Sequence, residues 1–316
     1  MKEIGGYFSL ELSSVGNMPH FEGVLLNTGR NALEYILRTM LPNVSKLYLP
    51  YFTCDTVLEA LKKTKIPYEF YSINSNLELS NLPLLKESEY LLYTNYYGIK
   101  DAYVHKLDEI YPDQLIVDNA QALYCPSTKK SLYSPRKYVG IPDGGIAFTD
   151  KPLLDITEID YSHDRISHLL KRIDLGATEG YADFRTNSAL LKNQPIKRMS
   201  NLTQSLIGSV NFEDIKDRRR RNFSILHAAL GKSNNLIIPD MESFACPLVY
   251  PYFAEEETLK NKLIEKKIFV ATYWPNVLEW CKEDTLEYQL ANRIIAIPID
   301  QRYGEKEMNY IINNIL

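Results

Sequence analysis

Cysteine and histidine are both scarce in this chain, four and five among 316 residues, and both are scattered. Cys54, Cys125, Cys246 and Cys281 form no CxxC pair and meet no histidine cluster, so nothing signals a zinc site or a disulfide framework. Reduced, mostly buried thiols are expected, with no metal centre and no Ser-His-Asp triad. No apolar run approaches the roughly 18 residues that cross a bilayer. The opening MKEIGGYFSLELSS lacks the basic start and long apolar stretch of a secretory leader, so a cytoplasmic protein is expected, without membrane contact. A net charge of -4 gives no electrostatic case for a nucleic-acid partner. No GxGxxG follows the first apolar run, which disfavours a nicotinamide-dependent Rossmann enzyme. Internal repeats and low-complexity linkers are also missing. Tyrosine, in contrast, is abundant at 23 residues. Such rings suit a sugar or nucleotide ligand, but packing at domain or subunit contacts is the simpler reading for most of them.

The length suits one large domain with a smaller companion, and the pattern divides accordingly. NALEYILRTML (31 to 41) has helical spacing, KLYLP (46 to 50) reads as a buried strand, and TCDTVLEALKKT (53 to 64) as a helix with Thr53 or Asp55 as its N-cap. PYEFYSI, EYLLYTN, DAYVHKLDEIY and QLIVDNA continue the alternation, which predicts an α/β fold around a doubly wound, mostly parallel sheet. From 155 to 231 the pattern turns helical. It ends in NFEDIKDRRRRNFSILHAAL, whose arginines 218 to 221 read as the solvated side of a linking helix, with anion binding as the alternative. Beyond it LIIPD, PLVYPYF, EETLKNKLIEKK, IFVATYW, RIIAIPI and EKEMNYIINNIL read as a small α+β domain. The expected division is 1–212, a large α/β domain, and 213–316, the linking helix with that small domain.

In doubly wound sheets, functional residues gather past the carboxyl ends of strands. Three features fall at such places. TGRNAL puts Gly29 at the mouth of a helix, where backbone N–H groups and the helix dipole receive an anion, although a glycine there is also common for structural reasons. Asp118 ends the apolar strand LIV, where its carboxylate needs a partner such as a protonated heterocyclic nitrogen; a turn or N-cap role is the bland reading. Lys137 stands seven residues before the pair Gly144 and Gly145, and a pocketed lysine can attack an aldehyde, although most lysines are solvated. An aldehyde, a phosphate and a heterocycle in one molecule describe pyridoxal 5'-phosphate (PLP).

TGRNAL, LPYFTCDTV, NYYG, VDNAQ, SPRKYVGIPDGG and RMSNLTQSLIG stand in an order and at spacings that resemble the DegT-type nucleotide-sugar aminotransferases. These form a branch of PLP-dependent fold type I, the aspartate aminotransferase superfamily, and the resemblance covers nearly the whole chain. It implies that Lys137 is the Schiff-base lysine and that Asp118 holds the pyridine nitrogen protonated. Gln121 neighbours the cofactor's 3-hydroxyl, while Ser134, Thr28, Gly29, Arg30 and Asn31 bind its phosphate. It further implies a homodimer, with contacts sought at the arginines of the linking helix and at Asn187 to Ser200.

The chain departs from the family at several positions. Cys54 stands where the family stacks an aromatic residue on the cofactor ring, with Tyr51 or Phe52 as candidate compensation. Asn95 replaces a histidine before the Tyr-Gly pair. Ile196 replaces an asparagine that reaches the partner's cofactor phosphate, with Asn193 or Arg198 as candidate substitutes. The implied reaction moves an amino group, with glutamate as the usual donor, to a nucleotide-linked keto-sugar in amino-sugar or polysaccharide synthesis. The dehydratases resembling this family carry histidine in place of the lysine, so Lys137 argues against them. The departures leave a second reading open, a PLP-binding or sugar-binding homologue that acts as a non-enzymatic partner. Tyr273, Trp274 and Arg302 are candidate substrate contacts, with packing or surface pairing as the plainer alternative.

Overall fold

Short apolar strands that alternate with amphipathic helices bury both sheet faces only when helices cover each side. The computed structural model, which describes residues 6–14, 16–152, 156–256 and 258–316, has this layered form. Residues 1–5, part of the stretch read for a leader, and Asp155 and Glu257, within two segments read as helical, lie outside the described residues.

Among the described residues the main sheet has seven strands: β1 (Val24–Leu26), β2 (Lys46–Pro50), β3 (Tyr68–Tyr71), β4 (Glu89–Thr94), β5 (Leu115–Asn119), β6 (Ser131–Tyr133) and β7 (Gly145–Phe148). They lie in the order β1-β7-β6-β5-β4-β2-β3. The strands from β3 across to β6 are parallel, and β7 runs antiparallel to both β6 and β1. Side chains alternate between the two faces. Leu92, Ile116, Leu132 and Ala147 face one core, with α1 (Gly29–Met40) and α2 (Thr56–Thr64) packed on it. Leu91, Tyr93, Leu115, Val117, Tyr133 and Ile146 face the other. Helix α1 inserts Leu33, Ile36, Leu37 and Met40, spaced by three and four residues, and Thr28 caps it by accepting the Asn31 N–H at 3.0 Å. The cap of α2 is Asp55 by position, without a side-chain hydrogen bond, while the Thr53 hydroxyl bonds that of Thr94 at 3.3 Å.

The second core is shared with the rest of the chain. Helix α3 (Asp101–Ile110) contributes Tyr103, Val104 and Leu107. The helical stretch then resolves into α4 (Ser167–Asp174), α5 (Ala177–Leu190), α6 (Asn201–Gly208) and the long α7 (Phe212–Leu230). Beyond α7 come β8 (Val249–Phe253), α8 (Leu259–Glu265), α9 (Val277–Trp280), α10 (Leu286–Arg293), β9 (Ile294–Pro298) and α11 (Glu305–Ile312). β8 and β9 pair antiparallel. Phe223 and Leu226 of α7, Tyr250, Ile297 and Met308 join the core that contains Tyr96 and Tyr133. Many of the tyrosines are therefore packing residues, and Tyr35, Tyr93, Tyr96, Tyr97, Tyr133 and Tyr250 are among the largest fully buried side chains.

Two of the apolar stretches assigned to the small domain form no strand. LIIPD loses its first donor to a side chain, since the Leu236 N–H bonds Asn234 Oδ1 at 3.0 Å, and Pro239 has no donor to give. IFVATYW makes only a single bridge, Ala271 to Ala296, and ends on Trp274 at a left-handed φ of 60°. The arginine run also needs correction. Arg219 is 2% exposed, donates to Leu248 O at 2.7 Å and stacks on Tyr138 at 4.6 Å, so the helix turns one member of the run inward. No helix among the described residues is long and apolar enough to cross a membrane.

Candidate functional site

The register of the parallel strands sets the site. Thr94 pairs with Asp118, and Asp118 with Leu132, so the carboxyl ends of β4, β5 and β6 finish level. The N-terminus of α1 meets them from the far side of β7. A cavity of about 280 Å³ opens there, and its lining includes Thr28, Gly29, Arg30, Cys54, Asp118, Gln121, Ser134 and Lys137. These eight residues come from four separate stretches of chain.

One end of the cavity gathers groups that can receive an anion. A β-carbon on Gly29 would stand in ordinary contact with Ser134 Cβ at 3.4 Å, so the serine lies against the helix N-terminus, where the dipole favours negative charge. Arg30 stands beside them, its Nε 3.7 Å from Glu59 Oε2 and its Nη1 donating to Leu191 O at 3.3 Å. At the other end Asp118 Oδ1 accepts the Ala120 N–H at 2.9 Å. Burial pushes the Asp118 carboxyl above its usual range, and the Lys137 charge together with that N–H offsets only part of the rise. Between the two ends Gln121, 1% exposed, accepts the Tyr97 N–H on Oε1 at 2.8 Å, while its Nε2 has no partner among the described residues. Lys137 ends the tight turn Pro135–Lys137, and its side chain stands exposed at the cavity mouth. Among the described residues its Nζ makes no hydrogen bond or ion pair. Cys54 lines the wall, its thiol pushed up by burial.

Several expected residues lie elsewhere. Asn31 is not in the lining, because its Nδ2 donates to Asn27 Oδ1 at 2.7 Å and to Pro195 O at 2.8 Å, which ties the chain behind α1. Asn95 is fully buried in a network with Asp101 and Asn119, away from the cavity. Neither Tyr51, stacked on Phe70, nor Phe52, packed between Tyr96 and Trp274, faces the cavity. Ile196 packs against the core beneath α1, and Asn193 and Arg198 do not reach this chain's own cavity. Tyr273 packs against Tyr97, and Arg302 forks onto Asp300 at 2.6 and 2.8 Å.

Of the candidate substrate contacts Trp274 does reach the cavity, more than 130 residues beyond Lys137, and supplies an aromatic wall beside Cys54. Other lining residues were not legible. Phe184 and Ser188, one turn apart on α5, complete the cover, and Arg136 lines the same space. A second cavity of about 410 Å³ shares Arg136, Lys137 and Phe184 with the first, and Arg172, Arg219 and His168 also line it. No sequence motif announces Phe184, Ser188, His168 or Arg172, because only the packing of α4 and α5 over the sheet brings them to these cavities.

No family model matches the chain, and no curated protein matches it by sequence. Solved structures do match in fold. A DegT/DnrJ/EryC1/StrS aminotransferase from Brucella abortus superposes with a TM-score of 0.61 at 16% identity, over 92% of this chain and 84% of its own. NtdA from Bacillus subtilis, solved with bound cofactor PMP, matches with a TM-score of 0.62 at 10% identity, over 92% and 72%. DesI, solved in the presence of its TDP-sugar product, matches with a TM-score of 0.60 at 14% identity, over 92% and 79%. The chain thus has the fold of the PLP-dependent aminotransferases, with a seven-stranded, mostly parallel sheet and helices on both faces.

Proposed function

We infer that the protein is a PLP-dependent aminotransferase that moves an amino group from an amino-acid donor, glutamate foremost, to a keto-sugar carried on a nucleotide. The observation that carries this reading is the convergence of Lys137, Asp118, Gln121 and Ser134 on one cavity closed by the N-terminus of α1. The residues fit the cofactor. Ser134 and the helix N-terminus suit its phosphate, the unpartnered Gln121 Nε2 suits an oxygen on its ring, and Asp118 suits its ring nitrogen. When bound, the cofactor supplies an electron sink for a carbanion at the amino-bearing carbon.

The chain's own groups do the remaining work. Asp118, held above the ordinary carboxylate range by burial, gains a cationic partner at the ring nitrogen and offsets the cost of its own desolvation. Lys137, whose Nζ has no bonded partner among the described residues, would hold the cofactor by its aldehyde and would accept or give a proton at Nζ. Trp274 and Phe184 cover the cavity and limit water. The DesI structure with its TDP-sugar product supports a nucleotide-linked acceptor, and an amino-sugar pathway such as polysaccharide synthesis is the setting that follows. A homodimer belongs to the same reading. Exposed apolar side chains on and beside α4 and α5, among them Ile173, Leu175, Tyr181 and Leu190, support a subunit contact near the expected segment Asn187 to Ser200.

The test is to incubate the purified protein with glutamate and a panel of nucleotide-linked keto-sugars while following 2-oxoglutarate and the cofactor absorbance. Amine transfer to at least one keto-sugar is expected. A protein that binds PLP yet never aminates it with any donor would be the non-enzymatic homologue instead, a reading that the substitution of Cys54 for an aromatic ring favours.

A further inference from the structure

Arg136 sits between Ser134 and Lys137, within the turn Pro135–Lys137, and its side chain lines both cavities. It is half-buried, and among the described residues its guanidinium makes no hydrogen bond or ion pair. Its charged surroundings compensate it only in part, through Asp143. Arg30 repels it, and Arg165 is already paired with Asp160 at 2.8 Å. Asp143 is also committed, accepting the Ser200 N–H at 3.0 Å, the Ser200 hydroxyl at 2.9 Å and the Thr203 hydroxyl. Burial, with Arg30 next in weight, lowers the Arg136 pKa to about 10. Two guanidiniums, Arg30 held loosely by Glu59 and Arg136 bonded to no carboxylate among the described residues, line the same cavity and describe a place for a multiply charged anion.

The position of Ile196 sharpens the point. It packs apolar surface under α1 where the resemblance leads one to expect an asparagine that donates to a phosphate in the partner subunit. A phosphate bound at Ser134 and Gly29 would therefore lack one donor.

We propose that Arg136 is a phosphate ligand for the cofactor from within the same chain, completing with Ser134, Arg30 and the N-terminus of α1 an anion site that needs no donor from a second subunit. The proposal rests on the cofactor reading above. A planar guanidinium suits a phosphate because it presents parallel N–H donors and keeps its charge at any physiological pH.

The phosphate itself provides the test. Dissociation constants for PLP and for pyridoxal, which lacks the phosphate, are measured by absorbance titration for the wild type, Arg136→Met and Arg136→Lys, with inorganic phosphate as competitor. Arg136→Met is expected to weaken PLP by about 10- to 100-fold, the range of a lost charge-assisted hydrogen bond, while pyridoxal changes by less than about twofold. Arg136→Lys should recover part of the loss, and phosphate should compete less well against the Met variant. An equal loss for PLP and pyridoxal would overturn the proposal, and so would unchanged PLP binding with a raised KM for the sugar substrate, which would assign Arg136 to the second cavity. A wild-type protein that prefers PLP to pyridoxal through Arg136 but transfers no amino group would refute the proposed function and leave this inference standing.

Discussion

A β-carbon on Gly145 would lie 2.2 Å from the carbonyl oxygen of Thr28, so the first residue of β7 and the N-cap of α1 are in backbone contact. The contact holds the Gly29 and Ser134 end of the cavity against the sheet. Gly145→Ala should force the two backbones apart, with a loss of about 1–3 kcal/mol or more in thermal unfolding and weaker PLP binding. Gly208→Ala is the control. A β-carbon there meets nothing within 4 Å, so the variant should be neutral or stabilised by up to about 1 kcal/mol. Equal effects from the two would show that the contact does not matter.

Asp118 predicts a pH dependence in the cofactor-free protein. Burial raises its pKa in the folded state, so the folded chain holds that proton to higher pH than the unfolded chain, where the group titrates near ~3.9. Stability from this group is therefore lost as pH rises through the window between the two values. Asp118→Asn should melt higher than the wild type at neutral pH, with the gap closing toward pH 4, while amine transfer falls by about 100-fold or more. A variant that melts lower at neutral pH would mean that the carboxylate stabilises the apo fold.

The two tryptophans separate cavity from surroundings. Trp274 lines the cavity, whereas Trp280 packs on Phe70 at 5.2 Å. Quenching of intrinsic fluorescence by PLP should persist in Trp280→Phe and be lost in Trp274→Phe. The opposite pattern would move the cofactor away from Cys54 and Trp274.

The arginine run should divide sharply. Arg219→Met removes the bond to Leu248 O and the stack on Tyr138, at a cost of about 1–3 kcal/mol measured by denaturant unfolding. Arg218→Ala breaks only an exposed pair with Asp214 and should change stability by less than about 0.5 kcal/mol. Similar losses at both positions would contradict the inward turn of Arg219.

Much of this molecule follows from local pattern. The period-two strands, the three-and-four spacing of Leu33, Ile36, Leu37 and Met40, and the loops at strand ends are set by residues a few positions apart. Such periodicities leave little choice about which face is buried. For the same reason Lys137, Asp118 and Gly29 were legible as candidates from the residues around them, whereas Gln121 and Ser134 were candidates only through the family resemblance of the motifs that hold them.

Local pattern also misled at particular residues. Asn31 lies one turn position from Gly29, but its amide is drawn backwards by Asn27 and Pro195, partners some residues behind the helix and over 160 residues ahead. IFVATYW is apolar enough for a strand, yet β8 finds β9 instead.

The sequence by itself determined the alternating α/β order and the chemical types gathered at the strand ends, because those depend on propensity, periodicity and spacing. Only the tertiary structure decided which of them share a cavity, that Trp274 and Phe184 cover it, and that Arg136 faces it with no carboxylate bonded to its guanidinium among the described residues. Those outcomes depend on how α5 and the C-terminal part pack across the sheet, and on which long-range partners each polar group finds when water is excluded.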